Sequence, residues 1–294
     1  MPTNKLVLTD KSPPLLEGQD RARASASRKA AATARAPAKR RMRIYVAGFY
    51  LLLFGTWQAV ISLRLAPDYL FPSPYQVFKR LFELISEGFM LPSIKATLYR
   101  MGIGFSIAGA IGLVIGIVMG MSTIAHACLK SLFLGLQTLP TAAWAPLSLL
   151  IFGLKDQGIY FVIVMSAAPA VAIATADGIL NIPPIYLRAA RTLGTPGIMM
   201  PFRIIVPAAL PAIVTGIKLG WTLGWHGAVS AELIKSVVGL GFLLNMGREL
   251  NDAAQVFAIM IVTILFGLLL DRFLFGIFEN RIRRRWGLTK EAAS

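Results

Sequence analysis

Six apolar stretches, each long enough to cross a lipid bilayer, leave this chain few folds to adopt. They run over residues 44–63, 101–125, 131–154, 157–176, 204–231 and 253–270. Five carry no Asp, Glu, Lys or Arg; the fifth in chain order contains Lys218 and His226. A hydrocarbon core about 30 Å thick is crossed by about 20 helical residues. Lipid offers the backbone no hydrogen bonds, so such spans must be helical or belong to a closed barrel. The period-2 alternation of a membrane barrel is absent. The expected fold is therefore all-α, a polytopic membrane protein with six transmembrane helices. Only 15% of the 294 residues are charged, against roughly 25% in soluble domains, which argues against a soluble enzyme.

The charge that remains is placed unevenly. Residues 1–43 hold 11 Lys and Arg against Asp10, Glu17 and Asp20. An N-terminus on the inside puts 21 of the 30 basic residues on the cytoplasmic side and 8 outside, with Lys218 within a span. This asymmetry predicts an N-in, C-in orientation. It also favours a cytoplasmic tail over a nucleic-acid surface, because the rest of the chain is too apolar to read a groove. Residues 1–43, rich in Ala, Ser and Arg, are expected to form a disordered cytoplasmic tail. A transit peptide shares this composition; a secretory signal fits less well, because the apolar run that follows is too long. Residues 44–280 would form the six-helix transmembrane domain and 281–294 a second basic cytoplasmic tail. In the outer connection between spans one and two, Val77, Phe78, Leu81, Phe82, Leu84 and Ile85 recur at helical spacing, which predicts a short amphipathic interfacial helix over 76–88.

Small residues mark the second span. Gly112, Gly116 and Gly120 recur at i, i+4 and i+8, a stripe that lets two membrane helices approach closely. Packing within one chain is the favoured reading. Catalytic groups are missing by comparison. There is no G-x-x-x-x-G-K-[ST] loop to cradle ATP phosphates, no Ser/His/Asp or paired-carboxylate set, and no metal-ligating cluster, with two histidines and Cys128 scattered along the chain. If such a chain moves a solute uphill, the energy would come from another subunit or from an ion gradient. A gradient-driven secondary transporter or channel is the alternative reading, and the placement of Asp177, Glu232, Asp252 and Asp271 at span ends counts against it, since proton relays keep acids at mid-membrane.

The segment between spans four and five, RAARTLGTPGIMMPFRIIVP over 188–207, is basic, amphipathic and bounded by Gly and Pro. Such a segment suits docking on a soluble partner. Ala189, Ala190 and Leu193 would give it a small apolar face, Gly194 and Gly197 with Pro196 a sharp turn, and Pro207 the first turn of the next helix.

This segment, about 184–207, resembles the EAA coupling motif of ABC importer permeases: E-A-A, three residues, G, nine residues, I-x-L-P. Ala189, Ala190, Gly194, Ile204 and Pro207 stand at the matching positions, while Arg188 replaces the family Glu and Val206 the family Leu. LFPSPYQVFKRL, LQTLPTAAWAPLSLLIFG and LPAIVTGIKLGW resemble the nitrate/sulfonate/taurine/bicarbonate branch, nearest to its aliphatic sulfonate and taurine permeases. The resemblance implies a MetI-like (type I importer) fold and a homodimer in the bacterial inner membrane. It also implies two cytoplasmic ATPase subunits that hold ATP and Mg, with no cofactor on this chain, and an extracytoplasmic binding protein that delivers substrate. It places ATPase coupling on Arg188, Ala189, Ala190, Leu193, Gly194 and Arg203. The expected cargo is a small anion, sulfonate or taurine first and nitrate or bicarbonate next.

Candidate pathway groups come from the residues themselves. Lys218, Trp221, Trp225, Val229 and Glu232 share one face of the fifth span at 100° per residue, with His226 beside it. A lysine inside a membrane helix marks a functional site by default; snorkelling or pairing with a neighbour is the plainer alternative. In the third span Pro140 and Pro146 break the hydrogen-bond ladder near Thr138, Thr141 and Trp144, and backbone freed at that depth is tolerated only beside protein or a water-filled cavity. These three residues are therefore also expected to line the path.

Overall fold

The computed structural model describes residues 42, 44–63, 67, 70–197 and 199–276. Apart from Met42, the expected basic tail over 1–43 lies outside the described residues, as does the one over 281–294. The chain divides into two units, Met1–Leu65 and Ala66–Ser294. The first contains helix α1 (Ile44–Ser62), whose 19 residues give a length of about 28 Å at 1.5 Å per residue.

The second unit is built of helices joined by turns, with no strand among its described residues. Helix α2 (Pro74–Ser86) is the expected amphipathic helix, and its start is set locally. The Ser73 hydroxyl accepts from the Gln76 N–H at 3.3 Å while the Gln76 side chain accepts from the Ser73 N–H at 2.7 Å, a reciprocal capping box. Val77 and Leu84 are buried, whereas Phe78, Phe82 and Ile85 remain exposed.

Helix α3 (Met90–Met121) begins well before the apolar run from Met101. Lys95 and Arg100, which bound that run in the sequence, lie inside the helix. It ends because Ser122 turns extended (φ −130°, ψ 118°) and caps helix α4 (Thr123–Gln137) by accepting from the Ala125 N–H.

The third expected span, 131–154, is not a straight helix. Helix α4 and helix α5 (Trp144–Phe152), joined through a 3-10 turn at Thr141–Ala143, meet at 89°. Pro140 sits in the break with extended backbone (φ −55°, ψ 138°), where it lacks an N–H to continue the ladder. Pro146 instead occupies the first turn of α5, where a missing N–H costs nothing. At 15 and 9 residues the two pieces are about 22 Å and 14 Å long, so neither crosses alone. Among the described residues, five helices are long and apolar enough to span, or six if the bent pair counts as one.

The chain continues through α6 (Asp156–Leu180), α7 (Pro184–Thr192), a π-helical turn at Pro201–Ile205, α8 (Val206–Lys235), α9 (Leu240–Glu249), α10 (Ala253–Leu270) and a second π-helical turn at Asp271–Phe275. Helix α6 lies between α3 and α8, and glycines allow the close approach. A Cβ at Gly112 would come within 2.7 Å of the Val171 Cβ, one at Gly116 within 2.6 Å of the Thr175 Cβ, and one at Gly120 within 2.7 Å of the Ile179 Cβ. The glycine stripe therefore packs within the chain. Helix α8 packs on an adjoining face of α6, where Gly220 meets Val171, the residue that Gly112 also faces, and Gly227 meets Ser166.

Candidate functional site

The segment between α6 and α8 is built from a short helix and a fixed stop. Pro184 opens α7 at its first position. The helix closes in a reciprocal pair of bonds, with the Gly194 N–H donating to Arg191 O at 3.0 Å and the Thr195 N–H to Ala190 O at 3.1 Å. This Schellman geometry needs a left-handed residue after the cap, and Gly194 supplies it at φ +74°. The expected apolar face is corrected here. Ala189 is exposed and Leu193 is 85% exposed, but Ala190 is only 3% exposed and faces into the chain. Neighbouring positions on a helix point about 100° apart, and the rotation of α7 about its axis turns Ala190 inward and leaves Ala189 outward. Arg188, Arg191 and Arg203 are exposed and form no ion pair among the described residues. Arg203 also borders a cavity of about 210 Å³ with Tyr186, Ile204 and Pro207, which joins α7 to the base of α8.

Four of the seven expected pathway residues come together. Lys218, Trp221, Trp225 and His226 line one cavity of about 630 Å³ between α8 and α10, together with Val229 and Asp271. Trp221 is fixed edge-to-face against Phe105 (5.1 Å between centroids) and against Phe275 (6.0 Å). Lys218 is not a lone cation. Its Nζ lies 3.0 Å from Asp271 Oδ2, with the two side chains 39% and 33% exposed.

Thr138, Thr141 and Trp144 do not line this cavity. The Thr138 hydroxyl donates to Gly135 O within its own helix. Trp144 is a core residue, edge-to-face with Phe161. Glu232, which shares a face with Lys218 in projection, belongs to a different site.

That site is a buried polar network which sequence reasoning did not find. Glu232 is wholly buried. It accepts from the Thr97 hydroxyl (2.7 Å), from Arg100 (3.0 Å) and from the Gly241 N–H (3.2 Å). Thr97 accepts in turn from the Leu240 N–H at 2.9 Å. Arg100 also bonds Asp156 at 2.9 Å and the Val238 carbonyl. Beside it, buried Lys235 donates to the carbonyls of Gly153 (2.6 Å) and Lys155 (3.2 Å), where a cation offsets the negative end of α5. Four helices, α3, α6, α8 and α9, are thus tied at one end. The available signal was a set of charges flanking the ends of spans; the pairing itself crosses 132 residues of sequence.

A family model described as "Binding-protein-dependent transport system inner membrane component" matches residues 112–284. The nitrate import permease protein NrtB of Leptolyngbya laminosa is 32% identical over 242 residues, covering 79% of this chain and 85% of that protein. The putative aliphatic sulfonates transport permease protein SsuC of Bacillus subtilis is 31% identical, covering 76% and 80%. The bicarbonate transport system permease protein CmpB of Synechococcus elongatus is 35% identical over 60% and 64%. Among solved structures, a chain of the MetNI methionine ABC transporter in inward-facing conformations superposes with a TM-score of 0.53 at 18% identity, covering 66% of this chain and 97% of that one; this likeness shows the fold. With the family match spanning more than half of the sequence and relatives aligned over most of their length, the chain belongs to the binding-protein-dependent transport system inner membrane component family.

Proposed function

We propose that this chain is the membrane-spanning subunit of an ATP-driven importer for a small anion. It works as a homodimer with two ABC ATPase subunits, which carry out ATP hydrolysis, and with an extracytoplasmic binding protein. The observation that carries this reading is α7: a short helix stopped by a left-handed glycine, exposing Arg188, Ala189, Arg191 and Leu193 between two long membrane helices. A helix ended by a fixed turn transmits a push as a rigid body. A basic face with one apolar knob suits an acidic, partly apolar groove on a soluble partner. Ala190 seats α7 against its own chain. Closure of the ATPase pair would drive the two α7 segments together and open the path outward, with the N- and C-termini inside.

The cavity between α8 and α10 lies on the proposed path. Its lining of Trp221 and Trp225 with Lys218 and His226 suits a solute with an oxyanion and an apolar body, so sulfonate or taurine is placed first and nitrate or bicarbonate next. The names of the nitrate, sulfonate and bicarbonate permeases that resemble the chain support the same cargo class. The test is biochemical. Purified chain should show no ATPase activity, should assemble 2:2 with a P-loop ATPase, and should move a radiolabelled anion in liposomes only with that partner, its binding protein and ATP. Transport driven by an ion gradient without any ATPase would overturn the proposal.

A further inference from the structure

Helix α2 presents three faces rather than two. At about 100° per residue, Pro74, Val77, Leu81 and Leu84 fill one sector about 80° wide, and all four are buried or half-buried. The adjoining sector, about as wide, holds Tyr75, Phe78, Phe82 and Ile85, and all four are exposed. The remaining arc carries Gln76, Lys79, Glu83 and Ser86. A helix on a water-exposed surface needs only a core face and a polar face. A third face, apolar along its whole length, is a contiguous patch of the kind that marks an interaction site.

Arg80 fixes the depth of α2. It stands at the seam between the buried and the polar sectors, pairs with Asp252 at 2.9 Å and donates to Gln255 Oε1 at 2.9 Å. Asp252 is the N-cap of α10, accepting from the Gln255 N–H, and α10 is one of the helices long enough to span. Helix α2 therefore sits where a spanning helix begins, at the level of the bilayer boundary. Aromatic side chains concentrate at that level. Tyr75 lies on the edge of the apolar sector next to Ser86, a place where a phenol keeps its ring in lipid and its hydroxyl in water. Lys79 and Arg80 are matched by Glu83 and Glu87, so attachment draws on apolar area and needs no anionic lipid.

We propose that α2 is a membrane-surface anchor: Tyr75, Phe78, Phe82 and Ile85 seat in the boundary between headgroups and acyl chains, and Arg80 carries that anchorage to the first turn of α10. A helix held this way buries its apolar face about 5–10 Å into the boundary, while Lys79, Glu83 and Ser86 stay in water. Helix α10 also walls the cavity beside α8, so the anchor holds one wall of that space at a constant depth in the bilayer.

The experiment uses the full-length chain with Cys128→Ala, nitroxide-labelled at single introduced cysteines and reconstituted in phosphatidylcholine vesicles. Collision with oxygen, which partitions into lipid, is compared with collision with a water-soluble nickel chelate. Labels at Phe78→Cys, Phe82→Cys and Ile85→Cys should show an oxygen-to-nickel ratio at least about five-fold above that of labels at Lys79→Cys and Ser86→Cys. Sites one turn apart on the same face stand in for any labelled chain that fails to reconstitute. Arg80→Leu should keep this contrast and widen the distribution of distances between labels at Lys79→Cys and Leu250→Cys, read by double electron–electron resonance. Equal ratios on the two faces overturn the proposal. So does low collision with both reagents at the apolar sites, which would mean that protein, such as a second copy of the chain, covers them. A contrast that appears only when phosphatidylglycerol is added overturns attachment by apolar area, and a distance distribution unchanged by Arg80→Leu overturns the role given to Arg80.

Discussion

Replacing Gly116 by alanine tests whether the glycine stripe of α3 holds the helical core together. The new Cβ would sit 2.6 Å from the Thr175 Cβ and 2.7 Å from the Ala172 carbonyl oxygen. Ordinary contacts between carbons lie at about 3.5–4.0 Å, so α3 and α6 must part by about 1 Å at this point. A gap of that size forfeits a quarter to a half of each dispersion contact beside it, and overpacking of this kind costs about 1–3 kcal/mol. Alanine returns about 0.5–1 kcal/mol through its better helix propensity, which leaves a net loss of up to about 2.5 kcal/mol. Gly112 faces the same helix one turn away, with Val171 Cβ at 2.7 Å. A single separation of the helices relieves both sites, so Gly112→Ala with Gly116→Ala should cost less than the sum of the two. Gly102 lies on the exposed side of α3, where an added methyl group would meet no atom of the described residues within 4 Å, and serves as the control. Thermal unfolding of the detergent-solubilised chain, followed by monodispersity on size-exclusion chromatography, reads all four variants. If Gly102→Ala and Gly116→Ala shift the midpoint equally, or if the Gly112 and Gly116 effects add in full, the stripe does not set the α3–α6 distance and the reasoning fails.

The coupling segment and the buried network can be perturbed in the same spirit. Gly194→Val should cost about 1–3 kcal/mol in α7 through left-handed strain alone, since no neighbour crowds the site, and should lower transport per ATP hydrolysed while membrane insertion is kept; Gly194→Asn should retain most coupling, and a valine variant with full coupled uptake would count against α7 as the transmitting element. Arg188→Glu should weaken docking on the ATPase by slowing association, in a manner that salt abolishes; tighter docking of the glutamate variant in surface-plasmon measurements would show that the partner surface expects an acid. Glu232→Leu should destabilise the folded chain by about 3–5 kcal/mol, because it removes the buried partner of Arg100 and strands the Thr97 and Gly241 donors; a melting midpoint within a degree of the unaltered chain would show that the network contributes little.

Much of this protein is legible along one dimension. Hydropathy and a period of 3.6 residues locate the membrane helices and the amphipathic α2, because each depends on neighbours within one or two turns. The conformation required of Gly194 is legible for the same reason: a helix stop is a local event. The glycines at 112, 116 and 120 announce a close contact, although not with which helix. Tertiary structure alone decided the rest. The 89° bend between α4 and α5 follows from Pro140 but takes its angle from what packs around it. The inward turn of Ala190 depends on the rotation of α7 about its axis, and so does the split that sends Lys218 to the cavity and Glu232 to the network although one helix face carries both. Asp271 meets Lys218, and Arg100 meets Glu232, only through the relative register of separate helices. A shift of one residue rotates a side chain by about 100°, and nothing in the local pattern of either helix specifies the register of the other.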